Sequence, residues 1–543
     1  MIARRTLLAA AGVTAVAAIA GKAGAQSASS DAPIANTKYG KVRGATNEGI
    51  NVFKGIRYGA STSGANRFQP PKAPEPWSDV RDALQFAPMA PQTIINLEGL
   101  FASWSWDKNI SEDCLGLNVW TPALRDGRKR PVMVWFHGGA YSILSGSESE
   151  YDGTRLAKRG DVVVVTLNHR LNAFGFLYLA EVAPQFADAS NAGMLDLVAA
   201  LQWVRDNIAE FGGDPGNVTI FGQSGGGGKV STMMAMPAGK GLFHRAIIQS
   251  GTYARKAHLE ALKPEESAAF TRRVLAVLEI SSADAGKKLA ELPMDALVGA
   301  AAKAAQPPNA PIFWGPVADG RALPSGPWWP DAPAVSATVP LMIGTAATEM
   351  TMLLGMRDQS AFSLDEAGLR SRLGKYMAAE DVERIITVFK ATRPNATPSE
   401  LFFAITTAIP FRRGAWQQAD RKAAQNAAPV YLYELDWQTP VDSGKYQSPH
   451  SLDLALVFDN VAKSASMVGT GPEAQQLADQ MSATWIAFAR TGNPNNPAIP
   501  DWPAYTVPER ATMVFNVTSK VVNSFRDDER KALAELQAKG AFD

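Results

Sequence analysis

A glycine-rich pentapeptide near the middle of the chain, GQSGG at residues 222–226, constrains the fold more than any other stretch. The apolar run 218–221 before it predicts a short buried strand, and the small residues after it permit an immediate turn into a helix. In that setting a G-x-S-x-G pattern is typical of a strained turn that holds the serine hydroxyl above the edge of a sheet. Because the chain has 45 glycines, the meaning of the pattern depends on the residues that accompany it.

The order of the histidines supplies the first such residue. In α/β-hydrolases with this turn, the nucleophilic serine is followed along the chain by an acid and then by a histidine. Only three of the five histidines follow Ser224, and two of them, His244 and His258, leave almost no room for an intervening strand and acid. We therefore predict Ser224 as the nucleophile and His450 as its general base.

The acid is predicted from the end of another strand. The apolar run 339–344 indicates a buried strand, and Glu349 follows it within a loop of small residues. A carboxylate just past a strand end lies on the same edge of the sheet as the serine turn, so we choose Glu349. Two alternatives stay open at this point. Glu349 is otherwise a surface residue that starts a helix at Met350, and Asp319 is another candidate acid, although its Asp-Gly context favours a turn.

A second glycine-rich loop begins at His137, directly after the apolar run 131–136. Consecutive glycines after a strand let backbone N–H groups approach a ligand closely. Together with the N–H of the residue after the nucleophile, such a loop stabilises the oxyanion of a tetrahedral intermediate. We predict that Gly138, Gly139 and Gly225 form this oxyanion hole.

Several further motifs follow in order along the chain. They include FKGIRY at 53–58, SEDCLGLNVW at 111–120, NHRL at 168–171, FGGDP at 211–215 and the segment that starts at His450. With these motifs the chain resembles the type-B carboxylesterases, also called the cholinesterase-like family, from about residue 37 to about residue 506.

The resemblance implies an α/β-hydrolase fold: a mostly parallel central sheet flanked by helices, with large insertions. It implies a serine hydrolase that cleaves carboxylic esters through an acyl-enzyme, with no metal and no cofactor. It also supports Glu349, because the acid of the family is usually a glutamate in such a loop. Ser250 and Asp453 are expected to lie behind the catalytic residues and support them. Hydrolysis of amides, carbamates or lactones is the alternative chemistry, and a non-catalytic binding protein is the alternative class.

The strand and helix patterns agree with this fold class. A helical face is formed by Leu197, Leu201, Val204 and Ile208, and residues 527–540 indicate a polar surface helix. Further strands are predicted at 162–167, 246–248 and 430–433. Alternating strands and helices favour a parallel sheet with the site at the carboxyl ends of its strands.

Two residues near the serine depart from the family pattern. The family usually has alanine after the nucleophile, where this chain has Gly225; glycine still donates its N–H, but we expect a more flexible turn. Lys229 stands where small or polar residues are commoner. It is either a structural or solvated lysine or a group near the site that contacts an anionic part of the substrate.

The single cysteine, Cys114, rules out an intramolecular disulfide. The resemblance implies a partner cysteine upstream, where this chain has Ala90, so we predict a buried free thiol. The loop between them carries Phe101, Trp104 and Trp106, which either line the mouth of the site or pack locally. Aromatic side chains there favour a small hydrophobic or aromatic ester as substrate.

Residues 1–25 have the pattern of a signal peptide: Arg4 and Arg5, a weakly hydrophobic stretch and small residues before the cleavage point. Paired arginines favour twin-arginine export of a bacterial protein to the periplasm or medium. The alternative, a membrane anchor, needs about 20 apolar residues, more than this stretch offers. Residues 26–543 are then one elaborated catalytic domain. Since 53 Lys and Arg balance 52 Asp and Glu, no basic bias towards nucleic acid exists. No feature of the sequence indicates an oligomeric state.

Overall fold

The computed structural model describes residues 32–94, 98–105, 108–251, 261–305 and 314–541. The predicted signal peptide, Trp106 and residues 306–313 lie outside these ranges. The strands of the described chain are β1 Ile34–Thr37, β2 Gly40–Arg43, β3 Ala45–Asn47, β4 Ile50–Arg57, β5 Val80–Asp82, β6 Gly116–Thr121, β7 Arg130–Phe136, β8 Val163–Leu167, β9 Gly213–Gln223, β10 Arg245–Gln249, β11 Leu341–Ala346, β12 Val430–Leu435, β13 Thr512–Phe515 and β14 Lys520–Val522.

The α-helices of the same ranges lie mostly between the strands. They are α1 Thr154–Gly160, α2 Asn172–Phe176, α3 Ala192–Asn207, α4 Gly225–Met233, α5 Pro264–Val277, α6 Ala285–Glu291, α7 Met294–Ala304, α8 Met350–Leu353, α9 Glu366–Leu373, α10 Ala379–Thr392, α11 Pro398–Thr407, α12 Arg413–Ala424, α13 Asp453–Val457, α14 Ala465–Val468, α15 Pro472–Thr491 and α16 Asp527–Ala538. A π-helical turn, Ala408–Arg412, joins α11 to α12.

One large mixed sheet organises the molecule, with the strand order β14-β13-β12-β11-β10-β9-β7-β8-β6-β4-β3. The central strands from β13 to β8 are all parallel to one another. Antiparallel pairs lie towards its two margins. β1, β2 and β5 form a separate small sheet. The mostly parallel sheet predicted from the sequence is thus confirmed, and its parallel part brings the carboxyl ends of β7, β9, β10, β11 and β12 to one edge.

The parallel strands are buried on both faces, which explains their continuous apolar runs. On one face, Val134 of β7 shares a hydrophobic core with Leu201 of α3. On the other face, the adjacent Trp135 shares a second core with Leu156 of α1 and Trp485 of α15. Successive side chains of a strand point to opposite faces, so each strand contributes to both cores.

Large segments are inserted between the later strands. α5 to α7 lie between β10 and β11, and α9 to α12 lie between β11 and β12. At the end of the chain, α16 differs from the polar surface helix expected from its composition. It buries Leu533 and Leu536 in the core, because its few apolar residues fall on one face, and Glu529 in its first turn is fully buried. Within the described ranges, no helix has both the length and the apolar character that crossing a membrane requires.

Candidate active site

The turn between β9 and α4 holds Ser224 in a strained conformation. Its φ of 57° and ψ of −126° lie outside the regions that non-glycine residues ordinarily adopt. The turn is fixed on both sides, because the Ser224 N–H donates to Gln249 O of the adjacent strand at 2.8 Å and its own carbonyl accepts from Gly228 N at 3.0 Å. Strain held by surrounding structure is characteristic of functional positions.

The two outer glycines of the pentapeptide are required by close backbone approach. A Cβ added to Gly222 would lie 2.5 Å from the carbonyl carbon of Gly226, and a Cβ added to Gly226 would lie 2.0 Å from Phe136 O. Both contacts are shorter than van der Waals separation allows. The strand can therefore enter the helix this abruptly only with glycine at both positions.

His450 reaches the same edge of the sheet from the loop after β12. The ring is buried, and its Nδ1 lies 2.5 Å from Glu349 Oε2. Since a carboxylate oxygen accepts this hydrogen bond, Nδ1 carries the proton and Nε2 remains as the acceptor. The Phe411 ring, in the π-helical turn, packs against the imidazole with the two ring centroids 5.3 Å apart, and it restricts the orientation of the imidazole. This arrangement leaves Nε2 unprotonated, so that it can accept a proton.

Glu349 is fully buried just past the end of β11. Its second oxygen, Oε1, accepts from the Ser250 hydroxyl at 2.6 Å and from the Ala346 N–H at 2.7 Å. Three donors thus surround a buried carboxylate, as satisfaction of a desolvated charge requires. Ser250 therefore lies behind Glu349, where the sequence argument placed it.

The loop that carries Glu349 is held from behind by a buried arginine that the sequence argument missed. Arg412 Nη2 donates to Ala347 O at 3.0 Å, and its Nε donates to Glu434 at 2.5 Å. Burial favours the neutral form of Glu434, but the attraction of Arg412, Arg526 and Arg393 outweighs it and lowers the pKa of that carboxyl to about 2.

Gln223 is a second residue that the sequence argument missed, although it lies inside the pentapeptide. Its side chain is buried, and its Nε2 lies 3.3 Å from His450 Nε2. Its Oε1 accepts from the Ser451 hydroxyl at 3.3 Å. The middle position of the pattern admits any residue, so no sequence signal indicated that this side chain turns towards the histidine.

The loop after β7 lies directly over the serine. A Cβ added to Gly138 would lie 3.6 Å from the Ser224 Cβ, and one added to Gly225 would lie 2.3 Å from Ala140 Cα. Gly139 has a φ of 75°, a conformation that favours glycine. The structure thus brings Gly138, Gly139 and Gly225 to the nucleophile, and Gly225 is required by close packing.

Lys229 lies beneath this loop instead of in the wall of the cavity. Its side chain is fully buried, and Nζ donates to His137 O at 2.8 Å and to Gly138 O at 3.4 Å. The hypothesis that Lys229 contacts an anionic part of the substrate is therefore not supported. The physical reason is that α4 directs this side chain beneath the loop after β7, where Nζ meets main-chain carbonyls.

Asp453 begins α13, three residues after His450, and is buried. It accepts from Gln249 Nε2 at 2.8 Å, and Gln249 Oε1 accepts in turn from Trp485 Nε1 at 3.0 Å. Burial, assisted by the charge of Glu349, raises the pKa of Asp453 to about 6. Asp453 thus belongs to a hydrogen-bonded layer beneath the site.

A cavity of about 670 Å³ opens above these residues, and both Ser224 and His450 line it. Its remaining wall is largely apolar and includes Phe101, Trp104, Tyr151, Met350, Met352 and Leu454. The aromatic loop suggested by the sequence thus contributes Phe101 and Trp104 to the cavity.

The remaining candidates lie away from the cavity lining. Asp319 accepts from the Arg321 N–H at 2.9 Å and from the Leu323 N–H at 3.1 Å, so it stabilises a turn. Cys114 is a buried free thiol whose pKa is raised by burial. Among the residues with described positions, no group of three or more His, Cys, Asp or Glu side chains is placed to hold a metal ion.

Comparison with known proteins agrees with this geometry. A model of the Carboxylesterase family matches residues 31–533. The chain is 36% identical over 507 residues to the para-nitrobenzyl esterase of Bacillus subtilis, covering 92% of this chain and 98% of that protein. It is 33% identical over 554 residues to Carboxylesterase 1D of Rattus norvegicus, covering 94% of each. The crystal structure of a Geobacillus stearothermophilus carboxylesterase superposes with a TM-score of 0.80 at 39% identity, covering 92% of this chain and 99% of that one.

Proposed function

The chain belongs to the carboxylesterase family and is a carboxylic ester hydrolase, and from that premise we propose that it acts as a serine hydrolase through an acyl-enzyme on Ser224. One observation carries the proposal. Ser224, which is strained at the end of β9, lines the same cavity as His450. His450 Nδ1 is hydrogen-bonded to the buried Glu349.

In this mechanism His450 Nε2 takes the proton of Ser224 as the hydroxyl attacks the ester carbonyl. Glu349 holds the imidazole in the Nδ1–H form and stabilises the imidazolium that results. His450 then protonates the leaving alcohol, and a water molecule activated by the same imidazole releases the acid from the acyl-enzyme.

The oxyanion that forms on attack is held by the N–H groups of Gly138, Gly139 and Gly225. The position of the loop after β7 above Ser224 supports this assignment. A Cβ added to Gly138 would lie 3.6 Å from the Ser224 Cβ, and one added to Gly225 would lie 2.3 Å from Ala140 Cα in that loop. Donors fixed in advance are effective because they need no reorganisation when the negative charge develops.

For the substrate, we propose a small ester with a hydrophobic or aromatic part. The cavity volume of about 670 Å³ lies in the range of small-molecule sites, roughly 300–1,000 Å³. Its methionine, tryptophan and phenylalanine lining favours apolar groups, and methionine adapts to differently shaped ones.

Hydrolysis of p-nitrophenyl acetate and p-nitrophenyl butyrate by the purified mature protein tests the proposal, with Ser224→Ala beside it. We expect hydrolysis by the wild type, loss of activity in Ser224→Ala, and wild-type rates in the matched surface variant Ser282→Ala. Covalent labelling by a fluorophosphonate should map by mass spectrometry to the peptide that contains Ser224. Faster hydrolysis of a matched p-nitroanilide or carbamate than of the ester would favour the alternative chemistry. A folded wild type that binds esters without turnover would contradict the proposal.

We also propose that residues 1–25 direct export by the twin-arginine route. Arg4 and Arg5 precede an apolar stretch that is too short to span a membrane. Expression of the full chain in a bacterial host, followed by cell fractionation, tests this. The double change Arg4→Lys and Arg5→Lys should retain the protein in the cytoplasm, and unchanged export would contradict the assignment.

A further inference from the structure

The mechanism above makes no use of Lys229, although its position is unusual for a cation. The residue lies in α4 behind the nucleophile, and its side chain is fully buried. Removing an ammonium group from water is strongly unfavourable unless hydrogen bonds and other charges compensate. Its compensating partners are the carbonyl oxygens of His137 and Gly138, at 2.8 Å and 3.4 Å from Nζ.

These two carbonyl groups belong to the same peptide units as two of the proposed oxyanion donors. The carbonyl of His137 shares its amide with the N–H of Gly138, and the carbonyl of Gly138 shares its amide with the N–H of Gly139. A donor that hydrogen-bonds to an amide oxygen draws electron density towards that oxygen, which makes the N–H of the same amide a stronger donor. Because the peptide unit is planar, fixing the oxygen also fixes the direction of the N–H on the opposite side.

The titratable groups around Lys229 are buried as well. Burial lowers the pKa of Lys229 well below its usual value, and the charge of Glu148 only partly opposes that shift. Glu148 is held nearby by the Ser145 N–H at 2.8 Å. The stacked rings of His137 and His169, with centroids 4.8 Å apart, are buried, and burial together with the charge of Lys229 lowers the pKa of both. Both imidazoles are therefore neutral when Lys229 is charged.

We propose that Lys229 is a positioning residue for the oxyanion hole: its Nζ–H donors orient and polarise the two peptide units whose N–H groups bind the developing oxyanion. The inference rests on the proposed ester hydrolysis and adds a residue to it. The substrate itself does not touch Lys229, which acts through the backbone of residues 137–139.

A second buried lysine provides a matched control. Lys422, in α12, is also fully buried, and its Nζ donates to Ser336 O at 3.0 Å and to Ala337 O at 2.6 Å. It makes the same kind of contact with main-chain carbonyls, but none of these residues lines the cavity. A general effect of removing a buried lysine should therefore appear in variants of both residues. An effect on stabilisation of the oxyanion should appear only in the Lys229 variant.

The test compares Lys229→Met with Lys422→Met, using p-nitrophenyl butyrate and active-site titration with a fluorophosphonate. For Lys229→Met we expect kcat per titrated site to fall by about 10-fold, short of the ~100- to 1,000-fold that loss of a whole donor causes. KM should stay nearly unchanged, because the oxyanion exists only in the transition state. A phenyl trifluoromethyl ketone, which forms a tetrahedral oxyanion on Ser224, should lose affinity by the same factor as kcat/KM. Lys422→Met should keep wild-type kcat per site.

Equal kcat per titrated site in Lys229→Met and the wild type, or equal losses in both methionine variants, would overturn the inference while leaving the proposed function intact. A folded wild type without esterase activity would overturn both. If Lys229→Met does not fold, Lys229→Ser replaces it, since residues of that kind are common at this position in the family. It should show the same loss of kcat and of ketone affinity.

Discussion

Gly225 permits a sharp prediction, because alanine is the residue that the family usually has after the nucleophile. A Cβ at this position would lie 2.3 Å from both Ala140 Cα and Ala140 O, whereas ordinary contact begins at 3.4 Å. The backbone of Ala140 must therefore move by about 1 Å, and it cannot yield as the end of a flexible side chain would. Overpacking of this kind costs about 1–3 kcal/mol of stability.

The same displacement should impair catalysis more than stability. Ala140 is joined directly to Gly139, so a shift of about 1 Å carries the proposed oxyanion donor away from the substrate. Misplacement by that distance lowers rates by about 100-fold. We expect Gly225→Ala to lower kcat/KM by about 100-fold, with the effect in kcat.

The assay measures kcat and KM for p-nitrophenyl acetate per titrated site, with unfolding by urea in parallel. Gly299→Ala is the matched control, since Gly299 lies in α7 and an added Cβ would have no atom from beyond its own helical turn within 4 Å. That variant should keep full activity and gain up to about 1 kcal/mol of stability from helix propensity. Wild-type kcat/KM in Gly225→Ala would refute the reasoning, because it would show that the loop yields without harm to the site.

Three further predictions concern the groups behind the site and the core. Glu349→Gln should lower kcat by about 10,000-fold by favouring the wrong tautomer of His450, and a smaller loss, below about 10-fold, would exclude Glu349 as the acid. Ser250→Ala removes a hydrogen bond of 2.6 Å to Glu349, worth about 1.5–3 kcal/mol for a charged acceptor; kcat should fall by about 10-fold, while fluorophosphonate labelling of the serine persists. The Glu434 carboxyl has its pKa lowered to about 2, so its contribution to stability is complete above about pH 4.5 and is lost as pH falls towards about 2. Between about pH 6 and about pH 3.5 the wild type should lose roughly 1 kcal/mol more than Glu434→Gln in urea unfolding, and equal losses would contradict the pairing with Arg412.

The sheet and the candidate residues at its edge were predictable because they depend on local rules. Gly222 and Gly226 are required wherever a strand turns this sharply into a helix, and consecutive apolar residues indicate strands buried on both faces. The order of Ser224, Glu349 and His450 along the chain then assigns each to a strand end. Parallel strands bring those ends to one edge of the sheet, so the sequence by itself predicts that the three residues lie close together.

Other features depended on which face of an element is buried, and only the tertiary structure decided them. For Lys229 the sequence left two interpretations open, a structural or solvated lysine and a group that contacts the substrate. Its side chain is buried beneath the loop after β7, so it is a structural residue in contact with neither solvent nor substrate. Gln223 occupies a position that tolerates any residue, and its direction follows from the approach of His450 from a distant loop. The burial of Glu529 in α16 and the support of the Glu349 loop by Arg412 likewise join segments far apart in the chain. The sequence alone thus determined the backbone path through the site, because steric limits act between neighbouring residues. The partners of its buried charges were decided by tertiary packing, because a charge removed from water takes whichever donors and acceptors the fold places beside it.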